Sequence, residues 1–417
     1  MRSMLRAAVM VALVAAPPRV AAGQALPEVR PELVGLSAAG IARVDSAMSA
    51  YISGKKLPGI VIAVARNGKL AHWKAFGLRS VETNDPMRPD DLFRIMSMTK
   101  PITTTAAMML VEEQKLELDE PVARYIPAFR NVKVWAPDGL VPPHRPMTVR
   151  DLMRHTSGLT YGLFGNTPVD SMYRKDDPSG KATSLADLMD RLARLPLVDH
   201  PGEAWNYSYS TDVLGRIVEV VSGMPLDRFF EERIFKRLGM RNTFFEVPSQ
   251  KRPRFVGYYA LPAPGRFFLA DSPDTGSFTR PPKLFAGGSG LVSSASDYLR
   301  FAQMILNGGK LDGTRLLRAE TVDEMLKNQI PAGLVPIRVG SSVLEGTGFG
   351  FGFSIAVESR DPRLGPVGLA GWGGYANTFF WIDPQNRLIG LILTQFFPFQ
   401  AYPIESEFRR LVYGAMN

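Results

Sequence analysis

Two β-hairpin patterns at opposite ends of the chain constrain its fold more than any other feature. In the first, two β-rich segments flank Asn67-Gly68, a dipeptide typical of two-residue hairpin turns. The four predicted strands are residues 59–64, 70–76, 378–382 and 388–394. The chain between the hairpins has mostly helical patterns from residue 97 to about 245. We therefore expect one antiparallel sheet, built from both ends of the chain, with a helical insertion.

Flanking elements complete this α+β prediction. Apolar spacing predicts a helix over residues 36–53 and a last helix from about 404 to 413. Residues 252–282 are rich in proline, glycine and aromatic residues and are expected to be irregular. The predicted domain spans residues 36–417, with an α/β part at about 36–96 and 286–417 and a mostly helical lobe at about 97–285.

The first 22 residues have the pattern of a secretory signal peptide. Arg2 and Arg6 precede a short apolar run, and Val20-Ala21-Ala22 offers a small-residue cleavage site. The run is too short for a transmembrane helix, and no other stretch approaches 20 apolar residues. We expect export to the periplasm or the medium without stable membrane insertion. An uncleaved anchor or a misassigned start codon is the alternative.

Composition excludes several classes of function. The chain has no cysteine, so disulfides, thiolate metal sites and a cysteine nucleophile are excluded. Its four histidines show no metal-site spacing, and no metal or organic cofactor is expected. Cleavage after Ala22 would lower the net charge from +9 to +6, and the basic residues form no stripe interleaved with aromatics. Nucleic-acid binding is therefore not expected.

The tetrapeptide Ser97-Met98-Thr99-Lys100 is a candidate nucleophile with its own base. Pro101 is tolerated only in a first helical turn, which places Ser97 at or just before a helix start. Lys100 then shares a helix face with Ser97, and a desolvated amine can act as a base. The alternative is a serine N-cap followed by a solvated lysine. A second match at Ser53-Gly54-Lys55-Lys56 shows that the tetrapeptide alone is weak.

A candidate proton relay lies before the helix predicted at residues 211–221. Tyr207 stands on the loop leading into that helix, where its phenol can pass a proton between serine, amine and leaving group. The alternative is that Tyr207 and Tyr209 are ordinary half-buried tyrosines.

The segment before the last hairpin is a candidate part of an oxyanion hole. Gly373 and Gly374 follow Trp372 and allow close backbone approach to a ligand. The N–H group of Tyr375 could then bind an oxyanion together with that of Ser97. A tight turn into an edge strand is the alternative.

Other polar motifs favour structure over chemistry. His155 precedes Gly158 and is interpreted as part of a helix end with a glycine cap. No Gly-x-Ser-x-Gly elbow is present, which argues against an ordinary α/β-hydrolase, and residues 287–290 do not form a phosphate-binding loop.

Three ordered motifs carry a family resemblance: Ser97-x-x-Lys100, Tyr207-Ser208 and Trp372-Gly373-Gly374. Together they resemble the serine β-lactamase-like superfamily, with the greatest likeness to the family VIII carboxylesterases related to class C β-lactamases. Residues 155–159 and 288–294 add to it, and the resemblance runs from about residue 36 to the C-terminus. It implies a β-lactamase-like fold.

Two departures from the penicillin-recognising members point to a different substrate. Tyr207-Ser208-Tyr209 stands where they carry Tyr-x-Asn, and Trp372-Gly373-Gly374 stands where they carry Lys-Thr-Gly. The missing lysine removes a cation that would bind a substrate carboxylate, and an indole supplies apolar area and one N–H donor. The esterase relatives share this replacement, so neutral esters are the expected substrates.

The resemblance implies a serine esterase acting on short- to medium-chain carboxylic esters through an acyl-serine intermediate. Its implied site consists of the nucleophile Ser97, Lys100 and Tyr207 as alternative bases, the oxyanion donors Ser97 and Tyr375, and the substrate contacts Trp372, Gly373, Gly374 and Tyr209. The partner is a small-molecule ester.

Three alternatives stay open. An acyltransferase would use the same site, and a β-lactamase or D-amino-acid peptidase would use the same nucleophile. A catalytically silent exported binding protein of the same fold is the non-enzymatic alternative. The natural ester and the oligomeric state are not predicted.

Overall fold

The computed structural model describes residues 25–417. The predicted signal peptide at residues 1–22 lies outside the described residues and stays a prediction. Among residues 25–417, no helix is both long and apolar enough to cross a bilayer. The same part of the chain has no group of three or more histidine or acidic residues arranged to hold a metal.

In the described part of the chain, eight strands form one antiparallel sheet in the order β4-β5-β6-β7-β8-β1-β2-β3. They are β1 (Gly59–Arg66), β2 (Lys69–Ser80), β3 (Asp85–Pro86), β4 (Thr347–Phe349), β5 (Ser354–Ala356), β6 (Ala370–Gly374), β7 (Thr378–Asp383) and β8 (Leu388–Leu393). Val61 of β1 pairs with Leu393 of β8. The two ends of the chain therefore meet at the centre of the sheet, as predicted.

The first predicted turn has the expected backbone. Asn67 and Gly68 both have positive φ, 54° and 75°, which is the requirement of a type I′ hairpin turn. The predicted N-terminal and C-terminal helices are present at Ala38–Ser53 and Ile404–Tyr413.

These two helices cover one face of the sheet, where Trp381 of β7 packs edge-on against Phe408 at 5.3 Å between ring centres. The opposite face is covered by the helix Ala295–Leu306, and its Tyr298 packs against Phe380 of β7 at 4.9 Å. The larger apolar core lies on this second side and extends into the helical lobe.

The remaining α-helices of the described residues lie at Thr99–Glu112, Val122–Tyr125, Val149–Met153, Pro168–Asp176, Pro178–Lys181, Leu185–Arg194, Ser210–Ser222, Leu226–Phe230, Lys236–Leu238 and Ala319–Met325. Outside the large sheet, short strand pairs are formed by Leu92–Arg94 with Val292–Ser294, Val134–Ala136 with Gly139–Val141, Lys310–Leu311 with Thr314–Arg315, and Arg338–Val339 with Ser342–Val343. The first of these pairs leads directly into Ser97.

The prediction of an irregular segment at residues 252–282 is wrong in part. Tyr258–Ala263 and Arg266–Asp271 form a hairpin, and Phe396–Phe397 pairs in parallel with the first of these strands. Pro262 is compatible with this strand because its pairing with Phe396–Phe397 involves only residues 259 and 260. The proline content therefore obscured a strand that needs no backbone N–H donor at position 262.

Candidate active site

Ser97 lies in a short 3-10 turn, Met96–Met98, which leads into the helix Thr99–Glu112. Met96 has a φ of 45°, a left-handed conformation that costs energy for a residue with a side chain. Packing holds this turn in place, because the Tyr298 hydroxyl donates to the Met98 carbonyl at 2.9 Å. Ser97 is thus presented just before a helix start, as predicted.

Lys100 is fully buried beside Ser97. Its Nζ donates hydrogen bonds to Ser97 Oγ at 3.2 Å and to the Gly288 carbonyl at 2.7 Å. Nζ also lies 4.5 Å from the centre of the Tyr207 ring, whose π-face stabilises positive charge. The alternative of a solvated lysine is wrong, and the amine is placed to exchange a proton with the serine.

Tyr207 and Trp372 are joined by a hydrogen bond. The indole Nε1 donates to the Tyr207 hydroxyl at 3.1 Å, and the two ring centres are 5.3 Å apart. The indole N–H is therefore directed at the phenol oxygen and holds the Tyr207 ring in position. Trp372, predicted as a substrate contact, is therefore also the partner of the predicted proton relay.

Gly374 allows the end of β6 to approach the serine turn. A side chain at this position would place its Cβ 2.4 Å from the carbonyl oxygen of Ile95, two residues before Ser97. A Cβ at Gly373 would instead lie 2.7 Å from the Phe379 ring. Tyr375 follows directly, so its backbone leaves β6 beside the nucleophile segment. The oxyanion role of Tyr375 and the substrate contact at Gly373 stay predictions.

Tyr209 is buried in the aromatic wall behind Tyr207. Its ring packs against Tyr161 at 4.6 Å, and its hydroxyl is hydrogen-bonded to Ser179 Oγ at 2.9 Å. Burial raises the pKa of Tyr209 to about 12, so the phenol stays protonated at neutral pH. Its assignment as a substrate contact stays a prediction.

Sequence reasoning missed Asp212, a carboxylate that is linked to the lysine through Gly288. Asp212 is 3% exposed, and its Oδ1 accepts from the Gly288 N–H at 3.0 Å, while the carbonyl of the same residue accepts from Lys100. Burial raises the pKa of the Asp212 carboxyl, and the charge of Lys100 opposes this shift. The Asp212 side chain therefore orients Gly288, whose carbonyl binds Lys100, and it lies close enough to the lysine to interact with its charge.

Two further residues of this network were also missed. The Tyr161 hydroxyl donates to Asp212 Oδ2 at 3.5 Å, and burial raises the Tyr161 pKa well above its ordinary value. Gly288 must be glycine, since a Cβ there would lie 2.6 Å from the Asp212 carboxylate. The sequence did contain a signal for Asp212, because an acid beside the apolar residues Val213, Leu214 and Ile217 is expected to be buried. This signal was ambiguous, since an acid in the first turn of a helix is also favoured by the helix dipole.

The predicted glycine cap after His155 is wrong. The helix ends at Met153, and His155 itself takes the left-handed position with a φ of 58°, while Thr156 N–H donates to Asp151 O at 2.9 Å. The buried imidazole packs 5.0 Å from the Tyr207 ring. Burial and the charge of Lys100 lower the His155 pKa well below its usual value, so the ring is neutral.

Comparison with known proteins agrees with this geometry. The family model described as Beta-lactamase matches residues 44–413. Protein Rv1367c of Mycobacterium tuberculosis is 36% identical over 82% of this chain and 86% of its own length. Esterase EstB of Burkholderia gladioli is 32% identical over 87% of this chain and 93% of its own length.

A solved structure shows a similar arrangement of most of the chain. EstCE1, described as a hydrolase with promiscuous acyltransferase activity, superimposes with a TM-score of 0.77 at 26% identity. The match covers 90% of this chain and 98% of EstCE1.

We predict that Asp212→Asn lowers kcat/KM for p-nitrophenyl butyrate by about tenfold or more, because the charge that Lys100 gains when it takes the Ser97 proton loses a nearby carboxylate. The amide keeps an acceptor for the Gly288 N–H group, so the fold should persist, as circular dichroism can verify. Asp297→Asn is the matched control, since Asp297 is equally buried in the first turn of the helix Ala295–Leu306. Full activity of Asp212→Asn would show that the carboxylate does not support the lysine.

Proposed function

This chain belongs to the β-lactamase family, and we propose that it acts as a serine esterase on short- to medium-chain carboxylic esters. The predicted α+β, β-lactamase-like fold and the family resemblance are confirmed by the family model and by the superposition with EstCE1. The similarity to EstB supports hydrolysis of small esters. The observation that carries the proposal is the 3.2 Å contact between Ser97 Oγ and buried Lys100 Nζ.

The first half of the reaction forms an acyl-enzyme. Ser97 Oγ bonds to the ester carbonyl carbon while its proton passes to Lys100 Nζ or to the Tyr207 oxygen. The carbonyl oxygen becomes negative and is bound by the N–H groups of Ser97 and Tyr375. The tetrahedral intermediate then collapses, the alcohol leaves with the proton, and the acyl group stays on Ser97.

Water completes the second half. It attacks the acyl carbonyl and gives a proton to the same base, and the carbon–oxygen bond to Ser97 breaks. Ser97 recovers its proton and the free acid departs. The hydrogen bond from Trp372 to Tyr207 supports this relay, because it stabilises the phenol oxygen whenever its proton is transferred.

Aromatic residues around Tyr207 favour a neutral, apolar substrate. Phe164 and Tyr161 lie 5.5 Å and 5.4 Å from its ring, and Phe349 packs edge-on against Trp372 at 5.2 Å. Trp372 places an indole where the penicillin-recognising members are expected to carry a cation. We therefore rank β-lactam and D-amino-acid peptide hydrolysis below ester hydrolysis.

A binding protein without activity fits the site poorly. Burying Lys100 costs free energy, and a chain that only binds ligands gains nothing from placing that amine against a serine hydroxyl. Export through residues 1–22 is part of the proposal.

The proposal predicts that p-nitrophenyl butyrate is hydrolysed and that Ser97→Ala reduces kcat by at least about 10³-fold, since no nucleophile remains. Ser53→Ala is the control, because Ser53 belongs to the other Ser-x-x-Lys match but is exposed at a helix end. Release of p-nitrophenol measures both. Activity that survives in folded Ser97→Ala would reassign the nucleophile.

Acyl transfer is the second candidate function, because the similar EstCE1 structure is described as having promiscuous acyltransferase activity. With a vinyl ester and an added primary alcohol in buffer, we expect free acid as the main product and a smaller amount of new ester. Gas chromatography measures the two products directly. New ester in excess over free acid at every alcohol concentration would instead make acyl transfer the main activity.

A further inference from the structure

A group of exposed aromatic side chains adjoins the active site. We call Phe268, Phe397, Phe399 and Tyr375 the aromatic ridge. Phe268, Phe397 and Tyr375 are 60%, 40% and 45% exposed, and Phe399 is half-buried. Adjacent exposed aromatic side chains on one surface are typical of binding sites rather than of scattered surface residues.

The ridge extends outward from Tyr375, with Ala260 between Phe397 and Phe268. The Tyr375 ring lies 5.7 Å from that of Phe397 and 6.1 Å from that of Phe399. Phe397 pairs with Ala260 in the three-stranded sheet, and Ala260 pairs with Phe268 on the next strand. Residues paired in register point to the same face, so Phe268 extends the ridge by two strand spacings, roughly 10 Å.

Buried polar groups hold the ridge rigid. The Asn377 Nδ2 donates to the carbonyls of Phe396 and Pro398 at 2.9 and 3.1 Å, and its Oδ1 accepts from the Gln400 N–H at 2.7 Å. Asn377 is fully buried, so these bonds are protected from water. The segment carrying Phe397 and Phe399 is therefore pre-organised, which lowers the entropic cost of binding.

A second buried amide ties this segment to the nucleophile segment. Gln395 accepts from the Arg94 N–H at 3.1 Å and donates to the Arg94 carbonyl at 3.0 Å. Arg94 lies three residues before Ser97, and Gly374, next to Tyr375, contacts Ile95. The ridge thus begins beside the position where the reacting carbonyl would sit.

We propose that the aromatic ridge binds the hydrocarbon part of the ester that extends beyond the reacting carbonyl, and so selects esters with a longer apolar chain. This inference rests on the proposed esterase function. An alkyl chain leaving the site past Tyr375 meets Phe397 and then Phe268, and no ridge residue carries a charge at neutral pH, since burial raises the pKa of the Tyr375 phenol above its ordinary value. The chain can belong to the acyl group or to the alcohol.

The test measures binding without turnover. In the Ser97→Ala background, isothermal titration compares methyl octanoate, octyl acetate and methyl butyrate, with and without the double substitution Phe268→Ser and Phe397→Ser. We expect the double variant to bind either methyl octanoate or octyl acetate about tenfold more weakly. A loss of this size follows when roughly two methylene groups lose apolar contact. Selective loss of methyl octanoate assigns the acyl chain to the ridge, and selective loss of octyl acetate assigns the alcohol. Leu140→Ser is the control, as Leu140 is 57% exposed on a different hairpin.

Several results overturn the proposal. The first is an unchanged affinity of the double variant for both methyl octanoate and octyl acetate. The second is that neither ester binds to the Ser97→Ala protein that keeps both phenylalanines. The third is that Leu140→Ser weakens binding as much as the double substitution does. A fall in sedimentation mass with unchanged ester binding would assign the ridge to a second copy of the chain. If the double variant loses binding but the native chain hydrolyses no ester, the ridge proposal stands and the proposed function fails.

Discussion

The structure depends on the burial of the Lys100 amine. A lysine without solvent must find polar partners inside the protein, and Lys100 finds the Ser97 hydroxyl and the Gly288 carbonyl. Those two contacts bring together the helix Thr99–Glu112 and the glycine-rich segment before Val292–Ser294. The Asp212 carboxylate accepts a hydrogen bond from the N–H group of Gly288, which links the helix Ser210–Ser222 to the same residue. One buried amine thus links three segments, and it lies within hydrogen-bond distance of the Ser97 hydroxyl.

The sheet contributes by presenting the C-terminal end of β6 to the serine turn. Gly374 lets the two backbones meet, and Trp372, two residues earlier, reaches the Tyr207 hydroxyl. The same strand therefore contacts the proposed proton relay and leads toward the aromatic ridge. Since Trp372 brings no charge, it offers a ligand apolar contact, which suits the proposed neutral esters better than anionic ligands.

Local signals were enough to predict the sheet and the helix start that brings Ser97 and Lys100 together. The Asn67-Gly68 turn, the position of Pro101 and the spacing of Ser97 and Lys100 each involve neighbours in sequence, and each was found as predicted. Asp212 and Gly288 were not predictable in this way, because their hydrogen bond joins residues far apart in the chain. The hairpin at Tyr258–Asp271 was missed because Pro262 argues against a strand. The strand tolerates this proline because residue 262 has no paired partner on the neighbouring strand.

The most direct measurement is the rate at which an alkyl p-nitrophenyl phosphonate labels the folded protein, with the modified residue mapped by peptide mass spectrometry. We expect one label per chain, on Ser97, and much slower labelling in Lys100→Met, in which a side chain of similar length lacks the amine. Labelling of Ser97 at the native rate in Lys100→Met would contradict activation by the lysine, and labelling at another residue would contradict the assignment of the nucleophile.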